Sequence, residues 1–279
     1  MYITRWKVVL KHFLIILFGL MMLYPLLWML SASLKPENEI FKGLSFLPSS
    51  PTLNSYVNGW KGVSGVIFGR FFLNSIFIAV ACIFGNTISC SMAAYAFAKL
   101  NFKLKNIMFA TMMVTLMLPF HVRLIPQYIV FNKLGWINTY LPLILPRYFA
   151  IEGFFIFLLV QFMRTINNEM LEAPKIDGCG SLRIYTSFIM PLSMPALVTV
   201  AIFTFIWTWN DFFSQMIYLS APISFTVSLA LRNFIDSTGN SSWGSLFAMS
   251  CLSLAPLFIV FIVFQKYLIE GITSGSLKG

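Results

Sequence analysis

Apolar residues run in long blocks along this chain, and the charges collect in the short stretches between them. Blocks of about twenty apolar residues, the length that carries a helix across roughly 30 Å of hydrocarbon, fall at about 12–34, 71–97, 107–130, 142–163, 196–219 and 244–268. The pattern predicts an all-α membrane protein, one transmembrane domain over 1–279 with roughly six spanning helices. Two stretches between blocks are long enough for structure of their own. One, about 35–70, holds Pro36, Pro48 and Pro51 among Gly and Ser residues and reads as an irregular loop. The other, about 220–243, carries Arg232 and Asp236.

Composition mainly excludes alternatives. Hydrophobic residues make up 58% of the chain and charged residues 10%, which rules out a water-soluble globular domain. The leading apolar run from Phe13 to Leu30 exceeds the ~7–15 residues of a signal-peptide core, so it is read as a retained helix. Cys82, Cys90, Cys179 and Cys251 show no C-x-x-C spacing, and are read as packing residues with no disulfide framework and no metal.

Charge placement sets the predicted orientation. Arg5, Lys7 and Lys11 precede the first block, Lys99, Lys103 and Lys105 follow the second, and Arg164, Lys175 and Arg183 follow the fourth. Basic residues favour the cytoplasmic side, so 99–106, 164–195 and both termini, with Lys266 and Lys278, are expected in the cytoplasm. Segments 35–70 and 220–243 are then outside. The net charge of +10 is spread over both sides, which fits contact with membrane lipid and not with nucleic acid.

Catalytic motifs are missing. No G-x-x-x-x-G-K-[S/T] occurs, and Gly178 and Gly180 lack the spacing and the Lys that cradle a phosphate. The histidines are His12 and His121, and no Ser-His-Asp arrangement is legible. The chain is therefore expected to be no enzyme and to hold no cofactor of its own.

Polar residues inside the apolar blocks mark a candidate pathway. Thr204, Trp207, Thr208 and Asp211 are spaced i, i+3, i+4, i+7 and on a continuous helix share one face. An aromatic ring beside hydroxyl and carboxylate groups suits a sugar; an interfacial aromatic belt is the competing reading. Asp211 favours a wet cavity, since further apolar residues follow it. The fourth block must take in Glu152 to reach spanning length, and Arg147 with it. At five residues apart, about 140° around a helix, the two are poorly placed to pair. Glu152 is expected either in a polar cavity or at a subunit contact, or snorkelling at the outer leaflet. Pro119 interrupts the third block and is read as a packing kink, as are Pro25 and Pro256.

The most informative segment is 172–195, EAPKIDGCGSLRIYTSFIMPLSMP, charged between two apolar blocks. Asn168 or Thr165 is placed to cap a short helix over Glu169–Lys175, Gly178 to end it, and Pro191 and Pro195 to bracket the return to lipid. Glu172, Ala173, Asp177, Gly178 and Pro191 together resemble the "EAA" loop of ATP-binding-cassette importer permeases. The Ile-Asp-Gly and Pro-Leu-Ser-Met-Pro runs are most similar to the carbohydrate, maltose-type branch, and to its second permease. Phe72-Leu73-Asn74-Ser75, Trp209-Asn210-Asp211 and the tail from Gln265 extend the likeness along the chain. The departures are Pro174, Phe188 and Met190; Pro174 is assigned to a first helical turn, where its missing N–H costs nothing.

The resemblance implies a coupling helix between the fourth and fifth spans, with Glu172, Ala173, Asp177 and Gly178 seated in a cleft of a cytoplasmic ATPase. It also implies two copies of that ATPase holding ATP and Mg²⁺, a second, homologous permease, an extracellular solute-binding protein and a sugar substrate. The competing function is an ion-coupled secondary transporter of a small polar solute, for which Glu152 and Asp211 are the candidate ionisable groups.

Overall fold

The computed structural model describes residues 5–42, 45–235 and 242–273, and among these every extended element is helical. In chain order, α1 covers Arg5–Ser33, α2 Asn54–Trp60, α3 Phe68–Lys99, α4 Lys105–Thr115 and α5 Phe120–Lys133. Helices α6 (Leu141–Ile144) and α7 (Gly153–Thr165) flank a 3-10 turn, and α8 covers Glu169–Ile176. Then α9 (Ser181–Ile184), a π turn and α10 (Met190–Leu192) lead into α11 (Met194–Asn210), followed by α12 (Phe213–Tyr218), α13 (Val227–Arg232) and α14 (Trp243–Thr273). Asp236, Ser237, Lys278 and the tail beyond Thr273 lie outside the described residues.

Four segments are long and apolar enough to cross a membrane: Trp6–Ser33, Phe68–Lys99, Leu141–Thr165 and Trp243–Tyr267. Two bent pairs, Lys105–Thr115 with Phe120–Lys133 and Ser181–Leu192 with Met194–Asn210, bring the total to six if each pair is one crossing. This is the all-α membrane architecture that the apolar blocks predict. Packing divides the chain into two compact units, one from the N-terminus to Gly69 plus Ala230–Ala255 and one of Arg70–Leu229 plus the chain from Pro256.

In the first unit, the stretch expected to be an irregular loop carries structure. Thr52 Oγ1 accepts from the Asn54 N–H at 3.2 Å where α2 starts, a start signal that the neighbouring prolines obscured. Glu37 accepts from the backbone N–H groups of Trp243 and Gly244, at 2.6 and 3.0 Å, at the head of α14. A carboxylate there satisfies donors that have no partner within the helix. The buried Lys35 ammonium donates to the Ser45 carbonyl at 2.6 Å.

Besides the π turn and the 78° bend before α11, the second unit departs from regular helices at three places that bear on the site. At Pro119 the chain breaks, and α4 and α5 meet at 101°. The packing kink expected there is thus a full break: proline forces its predecessor out of the helical region, and Pro119 itself, at ψ 137°, starts a new helix. The fourth crossing is likewise discontinuous, with a 3-10 turn at Leu145–Phe149 and Ala150 in the left-handed region at φ +54°.

Helix α3 supplies the seat for that irregular backbone. Cys82 Sγ donates to the Leu143 carbonyl at 3.4 Å, Ser89 Oγ to that of Arg147 at 2.8 Å, and Cys90 Sγ reaches that of Glu152 at 3.9 Å. At Gly85 a Cβ would come within 2.7 Å of the Tyr148 ring and 3.2 Å of the Arg147 backbone, so only glycine allows this approach. Non-helical backbone at membrane depth is tolerated where protein satisfies it. Cys82 and Cys90 thus do more than fill space.

The third departure ends α11 at Asn210, where the fifth block was expected to continue to 219. Asp211 is extended at ψ 112°, and α12 starts two residues later. Buried Gln215 bridges the gap: its amide donates to the Thr208 carbonyl at 3.1 Å, and its Oε1 accepts from Thr226 and lies 2.6 Å from Ser228 Oγ. Asn74 of α3 donates to the carbonyls of Ile223 and Phe225 at 2.9 and 2.8 Å, and Ser75 Oγ accepts from the Val227 N–H. The Asn-Ser pair therefore clamps the segment that follows α12.

Candidate functional site

Two sites in the second unit bear on function, the exposed helix α8 and a cavity bounded by α5, α6 and the segment from it to Glu152, α11 and α12. Helix α8 starts at Glu169, whose N–H is received by Asn167 Oδ1 at 3.1 Å. Neither expected cap serves. Asn168 Oδ1 instead accepts from Lys99 Nζ at 2.7 Å, and Thr165 Oγ1 donates to the Phe162 carbonyl at 2.8 Å. Pro174 falls in the second turn of the helix, not the first, because the helix starts five residues before it. There it removes the bond its N–H would give to the Met170 carbonyl.

The helix ends by the predicted device. The N–H of Gly178 bonds the Lys175 carbonyl at 3.1 Å, that of Cys179 bonds the Pro174 carbonyl at 2.9 Å, and Gly178 takes φ +80°. A left-handed residue after the last turn is a position that glycine fills without strain.

The two faces of α8 differ sharply. Leu171, 3% exposed, and Pro174 are buried, and Leu171 belongs to one apolar cluster with Tyr95 of α3, Phe155 and Met163 of α7, and Leu197 of α11. Glu172, Ala173, Asp177 and Gly178 all lie on the exposed side. So do apolar Met170 and Ile176, the latter 85% exposed. Lys99 ties the approach to α8 down further, donating to the Ile166 carbonyl at 2.6 Å.

The cavity encloses about 420 Å³. Of the pathway residues expected from sequence, Glu152, Trp207, Thr208 and Asp211 line it and Thr204 does not. Thr204 is buried against α3, where its hydroxyl oxygen accepts from Asn86 Nδ2 at 3.2 Å. The shared face fails at its other end too, because the helix stops before Asp211. That carboxylate reaches the cavity from the break while accepting from the Ser214 N–H at 3.1 Å. Trp207 is 42% exposed and stacks on Phe155, with ring centres 4.9 Å apart and planes at 21°.

Arg147 and Glu152 form an ion pair, contrary to the expectation from helical spacing. The 140° argument presumes a continuous helix, whereas the 3-10 turn and left-handed Ala150 fold the chain back so that the side chains meet. Each is 24% exposed, so removing one partner costs on the order of 1–3 kcal/mol, between surface and buried values. Arg123, Gln127, Asn210 and Gln215 also face the cavity and were not singled out as site residues. The one available signal was the i, i+4 spacing of Arg123 and Gln127, which puts both on one face of α5.

Comparison with known proteins follows this geometry. Residues 85–274 match the model of the family described as binding-protein-dependent transport system inner membrane component. The chain is 36% identical over 258 residues, 92% of its length and 84% of the relative's, to the probable ABC transporter permease protein YurM of Bacillus subtilis. It is 31% identical to the trehalose/maltose transport system permease protein MalG of Thermococcus litoralis, covering 97% of this chain and 98% of that one. The arabinooligosaccharides transport system permease protein AraQ of Halalkalibacterium halodurans is also 31% identical, covering 92% and 91%. A chain from the crystal structure of a bacterial ABC transporter that imports the acidic polysaccharide alginate shares the fold, with TM-score 0.83, 23% identity and coverage of 96% and 99%. The family match and these relatives over most of the chain place it in one family: the protein belongs to the inner membrane components of binding-protein-dependent transport systems.

Proposed function

We propose that this chain is one of two permease subunits of an ATP-driven sugar importer, and that α8 is its coupling helix. The observation that carries the reading is the two-sidedness of α8. A helix that exposes Ile176 and Met170 beside Glu172 and Asp177 while burying Leu171 among α3, α7 and α11 is built to receive a partner outside and pass its motion inward. The partner is one of two cytoplasmic ATPases, which hold the ATP and Mg²⁺. A second permease completes the pore, and an extracellular solute-binding protein delivers the solute.

Sugar as the solute rests on the relatives named for trehalose/maltose and arabinooligosaccharides, and on Trp207 beside hydrogen-bonding groups in the cavity. ATP binding closes the ATPase pair and shifts α8, and Leu171 transmits the shift to the helices around the cavity. Such a cycle needs each ligand to favour one state over the other. An ion-coupled transporter would leave α8 without a role, and its two candidate acids are engaged, Glu152 by Arg147 and Asp211 by the Ser214 N–H.

In this reading both termini and α8 are cytoplasmic, and the stretch around Ser49 is outside. A Cys at Ser49, in a background without native cysteines, is expected to react with an impermeant thiol reagent on intact cells lacking an outer-membrane barrier. A Cys at Asn101 is expected to react only after lysis. Labelling of Asn101→Cys and protection of Ser49→Cys would invert the orientation and put α8 beyond reach of an ATPase.

A further inference from the structure

The charges around the cavity are unevenly engaged. Its two carboxylates already have partners: Glu152 pairs with Arg147, and Asp211 accepts from the Ser214 N–H. Among the described residues Arg123 has neither an ion pair nor a side-chain hydrogen bond, and it lines the same cavity from the second turn of α5. Gln127, one turn further on, and Asn210, whose amide N–H donates to Ile206 at 2.8 Å and leaves its oxygen open, stand with it. The uncommitted groups are thus a guanidinium, amides and the exposed ring of Trp207, beside the Asp211 carboxylate, which has no cation paired to it among the described residues.

From this we infer that Arg123 is a specificity residue and that the transported saccharide carries a carboxylate, as oligosaccharides of uronic acids do. The inference rests on the reading of this cavity as the sugar path. A guanidinium offers two parallel N–H donors that match the two oxygens of a carboxylate, and such charge-assisted pairs are about twice as strong as neutral hydrogen bonds. A neutral sugar would meet the same arginine through hydroxyls alone and leave its charge uncompensated in a partly dehydrated site. Amides at 127 and 210, the Trp207 ring and the Asp211 carboxylate, an acceptor for sugar hydroxyls, then hold the rest of the sugar.

The test is a calorimetric titration of the purified complex of both permeases with the ATPase. The ligands are uronic-acid oligosaccharides of two to four residues and the same compounds after carboxyl reduction. The wild type is expected to bind the acidic form about tenfold more tightly or better, a preference that shrinks as salt rises. Arg123→Gln is expected to bring the ratio of the two dissociation constants to about one, with Arg123→Lys between. Equal affinity for both forms in the wild type, or a preference that survives Arg123→Gln, overturns the inference. If the neutral form alone binds and Trp207→Ala weakens it, the sugar path stands and only the acidic class falls. Binding of neither form by the wild type removes both.

Discussion

Leu171→Ala is expected to uncouple transport while leaving the complex assembled. The side chain is 3% exposed and sits in the cluster that joins α8 to α3, α7 and α11, so truncation removes buried contacts worth about 2–5 kcal/mol. The outer face of α8, with Glu172 and Ile176, is untouched, and the ATPase should still co-purify. Coupling free energies between sites are typically about 1–3 kcal/mol, so a loss of this size is enough to lower solute-stimulated ATP hydrolysis and uptake by about tenfold or more. Glu172→Ala, on the exposed face, should instead weaken co-purification itself. If Leu171→Ala releases the ATPase, or leaves uptake at the wild-type level, the division of α8 into a docking face and a transmitting face is wrong.

A comparable loss is expected from Trp207→Ala, on the cavity side. The ring is one of the aromatic surfaces in the cavity wall, with Phe120, Phe131 and Tyr218, and losing a contact worth ~1.4 kcal/mol weakens binding about tenfold. Trp207→Phe should retain part of the affinity because it keeps a ring. Phe205, about 160° away around the helix, is no neutral control: it is 8% exposed and stacks on Trp209 at 5.4 Å, so its truncation costs stability. Phe258, exposed on α14, serves better. Uptake that falls equally in Trp207→Ala and Phe258→Ala, in proportion to protein lost from the membrane, would return Trp207 to packing.

What the sequence disclosed and what it hid have a common cause. Apolar blocks, basic flanks and the ordered Glu-Ala, Asp-Gly and Pro signals are local, so the helical class with four to six apolar spans, the short helix near 169–176 and its Gly178 terminus were legible. The site geometry depends on breaks in helices, which period arithmetic cannot register. Arg147 and Glu152 were set apart by a helix that does not exist between them, and nothing at Ala150 announces a left-handed residue. Asp211 was placed on the same face as Thr204, yet the helix stops one residue before it and Thr204 turns toward Asn86. Arg123 stood in plain view but acquired meaning only when Pro119 proved to be a break that swings α5 to 101° from α4. The cap at Asn167 rather than Asn168 is a one-residue shift, within the ordinary uncertainty of helix ends.

ATP hydrolysis by the complex of this chain with its second permease and two ATPases, reconstituted in lipid, measures directly whether α8 links nucleotide to solute. Hydrolysis should be low alone, rise severalfold with solute-loaded binding protein, and proceed with uptake that needs no ion gradient. Hydrolysis indifferent to the loaded binding protein, or uptake that persists without ATP and collapses with the ion gradient, would contradict an ATP-driven importer.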